Sequence, residues 1–404
     1  MSAELKGFLV VAVLKILVVF TAINIGVMMV IWAERRISAW IQDRLGPNRV
    51  GPEGLLQSLA DGVKNIMKEE TTPVHGADRG LFYLAPAMSF VPALLTFCVI
   101  PFAAPLPGFD VTLPVVGRFA YTGAIPMVVA DLPIGFLFIL AISSLGVYGI
   151  VLAGWASGNK YALLGGVRSS AQMVSYEIAM GLSVVAVLLV AGNVTLSEVI
   201  AVQQRSVWFV FALTLGFIMF LISAFAETNR LPFDLPEAEA ELITGYHTEY
   251  SSMKFSMFFI AEYAALMTMS ALVATLFFGG WDIPFTAWDQ GTPSVLKTLV
   301  TLGAFFVKMN LFVFGYIWVR WTLPRFRFDQ LMQLGWKVMI PMALAYIVIV
   351  AFTIFALEGA GWRLGLAYGM VLFGVNLALL AALVWGLDRG RLLVGSRQRA
   401  RMAT

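Results

Sequence analysis

The residues that could do chemistry crowd into one stretch. AETNRLPFDLPEAEAELITGYHTEY, residues 226–250, carries Glu227, Asp234, Glu237, Glu239, Glu241 and Glu249, a quarter of the 24 acids in the chain. LPFDLPEAE has the makings of a helix start, with Asp234 as N-cap, Pro236 in the first turn and Glu237 completing a capping box. That accounts for Asp234 and Glu237 and leaves the other four. Glu237 and Glu241, if helical, share a face and repel. Leu231, Phe233, Leu235, Leu242, Ile243, Tyr246 and Tyr250 are interleaved with them, more apolar matter than a solvated acidic loop needs. The pattern points to a partly buried chain of carboxylates. Such groups have raised and mutually coupled pKa values and can take up and pass on protons near neutral pH.

Other ionisable residues fall inside long apolar runs, where burial costs about 2.5–3.5 kcal/mol at a helix centre. These are Lys15, Asp131, Glu177, Glu262 and Lys308. Glu177 in SYEIAMG and Glu262 stand about eight and nine residues into their runs, roughly 13 Å from the start at 1.5 Å per residue. They are candidates for a proton path or polar cavity, the plainer reading being hydrogen bonds or ion pairs between helices. Glu227 and Glu262 would join the acidic stretch to the membrane interior. Lys15 can snorkel to an interface.

Redox ligands are scarce. Cys98 is the one cysteine and reads as a small buried hydrophobe; the two histidines, His75 and His247, lie in polar loops. Haem, iron–sulfur clusters and structural zinc need Cys or His in sets. The expectation is a protein with no metal, flavin or haem of its own.

The elements that must position these groups are membrane spans. The chain has 404 residues, 60% hydrophobic and 13% charged, with mean hydropathy +0.85, against about a quarter charged in soluble domains. Apolar runs continue from end to end, so 1–404 reads as a single integral-membrane domain. The fold class expected is an all-α polytopic membrane protein with about nine transmembrane helices, near 8–32, 80–103, 126–151, 169–192, 207–226, 253–278, 297–319, 337–357 and 364–387. The first run is too long for a signal peptide and lacks a cleavage site. Of 27 Lys and Arg residues, 20 fall on the side holding segments 33–79, 152–168, 227–254, 320–337 and 388–404. That side is cytoplasmic by the positive-inside rule, which places the N-terminus outside and the C-terminus inside.

The inside loops are elaborate. ERRISAWIQDRLGPNRVGPEG is punctuated by Gly and Pro. EGLLQSLADGVKNIMKEE follows, with Leu55, Leu56, Leu59, Val63, Ile66 and Met67 at helical spacing. It is an amphipathic helix too short to span, suited to the bilayer interface or to a soluble partner. Gly361, Gly365 and Gly369 near the last run are a weak helix-packing signal. The basic tail at 388–404 suits anionic lipid.

Four stretches carry a resemblance to a known family. They are AERRISAWIQDRLGPNRVGPEGLLQSLADGVKNIMKEE, WASGNKYALLGGVRSSAQMVSYEIAMGLS, AETNRLPFDLPEAEAELITGYHTEYSSMKFSMFFIAEY and WVRWTLPRFRFDQLMQLGWK. They resemble the H-type membrane component of respiratory complex I, the proton-pumping NADH:quinone oxidoreductase, whose mitochondrial counterpart is its first membrane subunit. The resemblance covers about 8–357, leaving the 364–387 run as an additional C-terminal helix. Ser58 stands where many members have Pro.

The resemblance implies a subunit that forms the membrane side of the quinone chamber, with ubiquinone or menaquinone as substrate entering between the first span, the interfacial helix and the sixth span. It points to Glu34, Arg35, Arg36, Gln42, Arg44, Asp61 and Lys64, and in the TLPRFRFDQLM loop to Arg320, Arg325, Arg327 and Asp329. The family's acidic funnel maps onto Glu227, Glu237, Glu239, Glu241, Glu249, Glu177 and Glu262, with Asp234 and Asp131 added from the reading above. It implies coupling of quinone reduction to proton translocation, an H+-transporting translocase without its own redox centre. The implied partners are the peripheral-arm quinone-site and iron–sulfur subunits, small membrane subunits, antiporter-like subunits and the lipid bilayer, with no nucleic acid. The implied location is the bacterial cell inner membrane, ahead of the mitochondrial one.

Two other readings compete. One is the homologous membrane subunit of a membrane-bound hydrogenase or a deazaflavin-dependent dehydrogenase complex, against which the long acidic motif argues. The other is a stand-alone secondary transporter, for which inverted repeats and paired broken helices are not evident.

Overall fold

The helices follow the apolar runs and stop where polar side chains, glycine or proline intervene. The computed structural model describes residues 2–73, 78–113, 117–235, 245–284, 286 and 288–388. α1 (Ala3–Ile41) is capped by Ser2, whose hydroxyl accepts the Leu5 N–H at 3.2 Å, and runs unbroken for 39 residues. A short 3-10 turn at Pro52–Gly54 leads into α2 (Gln57–Met67), the interfacial helix, in which no residue is buried. Its far end is clipped to a segment far along the chain, where the Ser252 hydroxyl donates to Asn65 O at 2.8 Å and Lys68 O at 3.0 Å. Ser58 donates to Met28 O at 2.9 Å and ties α2 to α1.

α3 (Arg79–Leu95) is capped by Asp78 and passes into a 3-10 turn at Thr96–Val99. A small outer layer of strands follows: β1 (Ala103–Leu106), β2 (Phe109–Leu113), β3 (Gly117–Tyr121) and β4 (Ile125–Met127). β2 and β3 form an antiparallel hairpin with Phe109 opposite Tyr121, and β1 pairs with β4. α4 (Gly135–Ala156) packs tightly on α3; a Cβ on Gly149 would lie 2.2 Å from the Ser89 hydroxyl, so only glycine allows the approach. α5 (Lys160–Ala191) is capped by Asn159 and ends at left-handed Gly192.

Next come α6 (Leu196–Arg205), α7 (Phe209–Ala212) and α8 (Thr214–Glu227), then a turn and a 3-10 segment at Gly245–His247. α9 (Ser252–Phe277) is the most enclosed span and α10 (Val295–Thr322) lies beside it. α11 (Phe328–Gln333) continues through a π turn at Leu334–Met339 into α12 (Ile340–Gly359), and α13 (Leu366–Asp388) closes the described chain. The core gathers where α5, α8 and α9 meet, around Met180, Phe220, Leu272 and Phe277.

The protein is all-α and polytopic. Among the described residues eight helices are long and apolar enough to cross a membrane. The fifth expected span, 207–226, is broken at Leu213, and α8 alone has 14 residues, short of the roughly 20 a spanning helix needs. The third span begins at Gly135 and not near 126, because Pro126 and Pro133 leave 126–134 to β4 and irregular chain. Asp131 is therefore outside any helix. Of the three C-terminal glycines only Gly369 falls within α13, its Cβ position 3.3 Å from Val207.

Candidate functional site

Two arginines organise the buried carboxylates. Glu34, near the C-terminal end of α1, and Arg230, in the turn after α8, are each 5% exposed. Arg230 Nη1 donates to both Glu34 oxygens, at 3.2 and 3.3 Å, and its Nε lies 2.9 Å from Glu262 Oε1 on α9. Arg320, at the end of α10, donates to the same Glu34. The Arg230 guanidinium also stacks 4.3 Å above the Tyr263 ring. Burial works against the Arg230 charge, but Glu262 and Glu34 outweigh it and raise its pKa above the ordinary value. Arg325 pairs with Asp234 at 3.1 Å. Burial pushes the Asp234 carboxyl up, against the pull of Arg325 and Arg320. Three carboxylates thus face three guanidiniums, the balance that buried charge requires.

Glu34 and Arg320 line a cavity of about 770 Å³ bounded by α1, α2, α9 and the end of α10. Its polar end carries Glu34, Arg35, Arg44, Asp61, Lys64 and Arg320; Val27, Ile31, Leu59, Val63, Phe259 and Ile260 line much of the rest. Arg35 pairs with Asp61 at 2.5 Å. Arg36 does not line this cavity: it holds the loop after α1, through Glu53 at 2.7 Å and Pro47 O at 2.9 Å. Gln42 accepts from Arg44 Nε at 2.7 Å. Arg325, Arg327 and Asp329 are not in the wall either; Arg327 and Asp329 face each other at 3.4 Å on the exposed surface.

Behind the arginines lie two smaller cavities. One of about 40 Å³ is lined by Arg230, Asp234, His247, Glu262 and Arg320. The other, about 90 Å³, lies among α3, α4 and α9 and is lined by both Glu227 and Glu262, with Ser89, Thr96, Ser143 and Thr268. Both are roomy enough for water; polar groups make up more of the lining of the first, and apolar side chains most of the second. Glu227, the last residue of α8, also faces Glu177 on α5 closely enough to repel it, and Glu177 accepts from the Ser144 hydroxyl at 2.5 Å. The described acids therefore form a series: Glu34, Glu262, Glu227, Glu177.

The remaining acids stand apart. Glu249 accepts from Asn159 Nδ2 at 2.8 Å, away from the arginines. Asp131 is exposed at the opposite end of the molecule and accepts from the Ser197 hydroxyl at 2.5 Å. Glu237, Glu239 and Glu241, with the helix start expected at Asp234, involve residues outside the described ones. Lys15 Nζ donates to Pro126 O and Val128 O at 3.1 and 2.9 Å, and Lys308 Nζ to Phe278 O, Gly280 O and Asp282 O at 2.6–3.0 Å. Among the described residues no group of three or more His, Cys, Asp or Glu side chains could hold a metal ion.

The sequence model of the NADH dehydrogenase family matches residues 14–351. The H1 subunit of NADH-quinone oxidoreductase from Geobacter metallireducens is 50% identical over 335 residues, 83% of this chain and 94% of the relative. The chain belongs to this family. The corresponding H1 subunit from Cytophaga hutchinsonii is 48% identical over 347 residues, 85% of this chain and 96% of the relative. The H-type relative from Leptospira biflexa is 48% identical over 350 residues, with 86% and 96% covered.

Within this member of the NADH-quinone oxidoreductase family, sequence reasoning misses Arg230 and Tyr263. Arg230 stands inside the acidic stretch, and a signal for it exists. A carboxylate such as Glu262, inside an apolar run, calls for a cation, and Arg230 is the one Lys or Arg within the acidic stretch 226–250. Ser144, the partner of Glu177, has no such signal.

Proposed function

We propose that this chain is the membrane wall of the quinone chamber in a proton-translocating NADH:quinone oxidoreductase, and that its buried acids couple quinone reduction to proton movement. Family membership makes it a membrane subunit of that enzyme complex. The observation that carries the finer reading is the shared position of Glu34 and Arg320. They line the 770 Å³ cavity and are bonded into the Arg230–Glu262 network.

Reduction of a quinone adds two electrons and two protons. The electrons come from iron–sulfur subunits of the peripheral arm, since this chain offers no redox ligands. Negative charge developing at the end of the cavity draws on Arg320. Glu34 then loses one of its two cationic partners and leans on Arg230, which in turn is shared less with Glu262. A proton arriving at Glu262 restores the balance, and the 90 Å³ cavity gives water a place between Glu262 and Glu227. Glu227 and Glu177 continue the series toward antiporter-like partners. Asp234, Glu237, Glu239, Glu241 and Glu249 are the supply side. The quinone, ubiquinone or menaquinone, slides in along α1, α2 and α9 with its tail on apolar side chains.

In this reading the chain is one integral-membrane unit in a bacterial inner membrane, with its N-terminus outside and its C-terminus cytoplasmic. Residues 8–357 are the core; the last helix and the basic tail are additions. Two measurements test it. Gentle detergent extraction is expected to bring out a large assembly with inhibitor-sensitive NADH:quinone activity; a lone chain overturns the reading. In that assembly Glu227→Gln is expected to lower turnover and pumping together, and wild-type values for both would remove Glu227 from the pathway.

A further inference from the structure

The fifth apolar stretch breaks between α7 and α8, where Leu213 has φ −127° and ψ 45°. A break frees the first N–H groups of the second helix and the last carbonyls of the first. Leu213, as the residue before α8, has no side-chain oxygen with which to cap them. Within a hydrocarbon layer such orphaned groups are costly, since no water is present to satisfy them.

A side chain more than 160 residues away fills the break. Asn376, on α13, is completely buried. Its Nδ2 donates to Ala212 O at 2.8 Å and to Leu372 O at 2.9 Å. Its Oδ1 accepts from the Leu215 N–H at 3.2 Å and from the Tyr346 hydroxyl at 2.8 Å. The Tyr346 hydroxyl, on α12, is also hydrogen-bonded to the Gly216 backbone. Both donors of the carboxamide are used, and its oxygen accepts twice, its full capacity. α13 lies beyond residues 14–351, the part matched by the family model, whereas α7, α8 and Tyr346 lie within it.

We propose that Asn376 is a positioning residue: α13 caps α8 from outside the family core and so fixes the helix whose other end carries Glu227. The functional half of this rests on the reading of Glu227 given above. The 14 residues of α8 put about 21 Å between cap and carboxylate. Without the cap, Ala212 O and the Leu215 N–H regain partners by rewinding α7 and α8 into one helix. That rotates and shifts α8, and moves Glu227 relative to Glu177 and the 90 Å³ cavity.

The test uses the complete complex in membranes, with Asn376→Leu, Asn376→Asp and Tyr346→Phe. N376L is expected to raise hydrogen–deuterium exchange at the Leu215 and Gly216 amides by ~10-fold or more. It is also expected to lower kcat and pumping several-fold in assembled complex, with KM for a short-chain quinone unchanged, because the cap is remote from the large cavity. N376D keeps an acceptor for the Leu215 N–H but loses both Nδ2 donors, and when protonated donates only once, so it restores only part of the protection and turnover. If N376L does not accumulate, Y346F, which removes a single hydroxyl, shows the same changes at about twofold to threefold. Wild-type exchange at both amides in the variants overturns the cap. Raised exchange with wild-type kcat and pumping overturns the positioning role. E227Q on the wild-type background separates the two readings: if it changes nothing, the functional reading of Glu227 fails while the exchange result still decides the cap.

Discussion

Arg230 and Glu262 bind across a helix boundary: the guanidinium Nε of the turn after α8 lies 2.9 Å from the carboxylate on α9. Because Arg230 also holds Glu34 on α1, one side chain ties three segments that are far apart in the chain. Removing it leaves Glu262 without its cation and Glu34 with Arg320 alone. Arg230→Met is expected to destabilise the chain by about 3–5 kcal/mol, read as lost assembly and a lower thermal midpoint. The double variant R230M/E262Q recovers part of that loss, and the departure from additivity measures the pair.

Two loop residues give opposite pH dependences. Burial, with Asp289 alongside, pushes Asp282 from 3.8 up to about 6, while burial pushes His247 from 6.5 down to about 4. Folded Asp282 keeps a proton that the unfolded chain has released, so its stabilising contribution is present below about pH 4 and lost as pH rises through about 6. Folded His247 refuses a proton that the unfolded chain accepts, so its contribution is present above about pH 6.5 and lost as pH falls toward about 4. Thermal midpoints between pH 4 and 7 check both signs. Relative to the wild type, Asp282→Asn tilts the profile so that stability rises with pH, and His247→Asn tilts it the other way.

Arg35 and Asp61 make a short pair at 2.5 Å, yet their side chains are 45% and 31% exposed. Screening keeps such a pair to about 1 kcal/mol or less. Arg35→Ala is expected to leave the thermal midpoint nearly unchanged and to raise KM for quinone, since Arg35 lines the large cavity. A wild-type KM removes Arg35 from the substrate's path.

Gly165 lets α5 touch the turn that presents Tyr246 and His247: a Cβ there would sit 2.6 Å from the Gly245 Cα. Gly165→Ala must push backbone against backbone, at a cost of about 1–3 kcal/mol. Lowered thermal stability is the expected result, with local exchange rising at 245–250.

Much of this architecture is legible in the residues, and the failures have physical causes. Long apolar runs and Gly-Pro punctuation locate the helices and the interfacial segment, because burial and backbone satisfaction in lipid act locally. Hydropathy is blind to the break at Leu213, which has no Pro or Gly to mark it and is held by side chains far along the chain. It also overruns the start of the third span, where Pro126 and Pro133 are the better guides, and so puts Asp131 in a helix. Glu177 and Glu262 stand out because charge is costly inside apolar runs, and Glu227 through the acidic stretch it opens, whereas Glu34 is reached only through the family resemblance. Their partners are harder to find. Arg230 is 196 residues from Glu34, and no local pattern reports a contact of that range.

α1 has one further consequence. Its 39 residues make a rod of about 58 Å, against the ~30 Å thickness of hydrocarbon it crosses. No kink, bulge or proline interrupts it between the lipid and Glu34. The cavity wall therefore has no hinge within α1 itself. Of the helices around the cavity, α2 is the one with no buried residue, and a few polar contacts hold it in place.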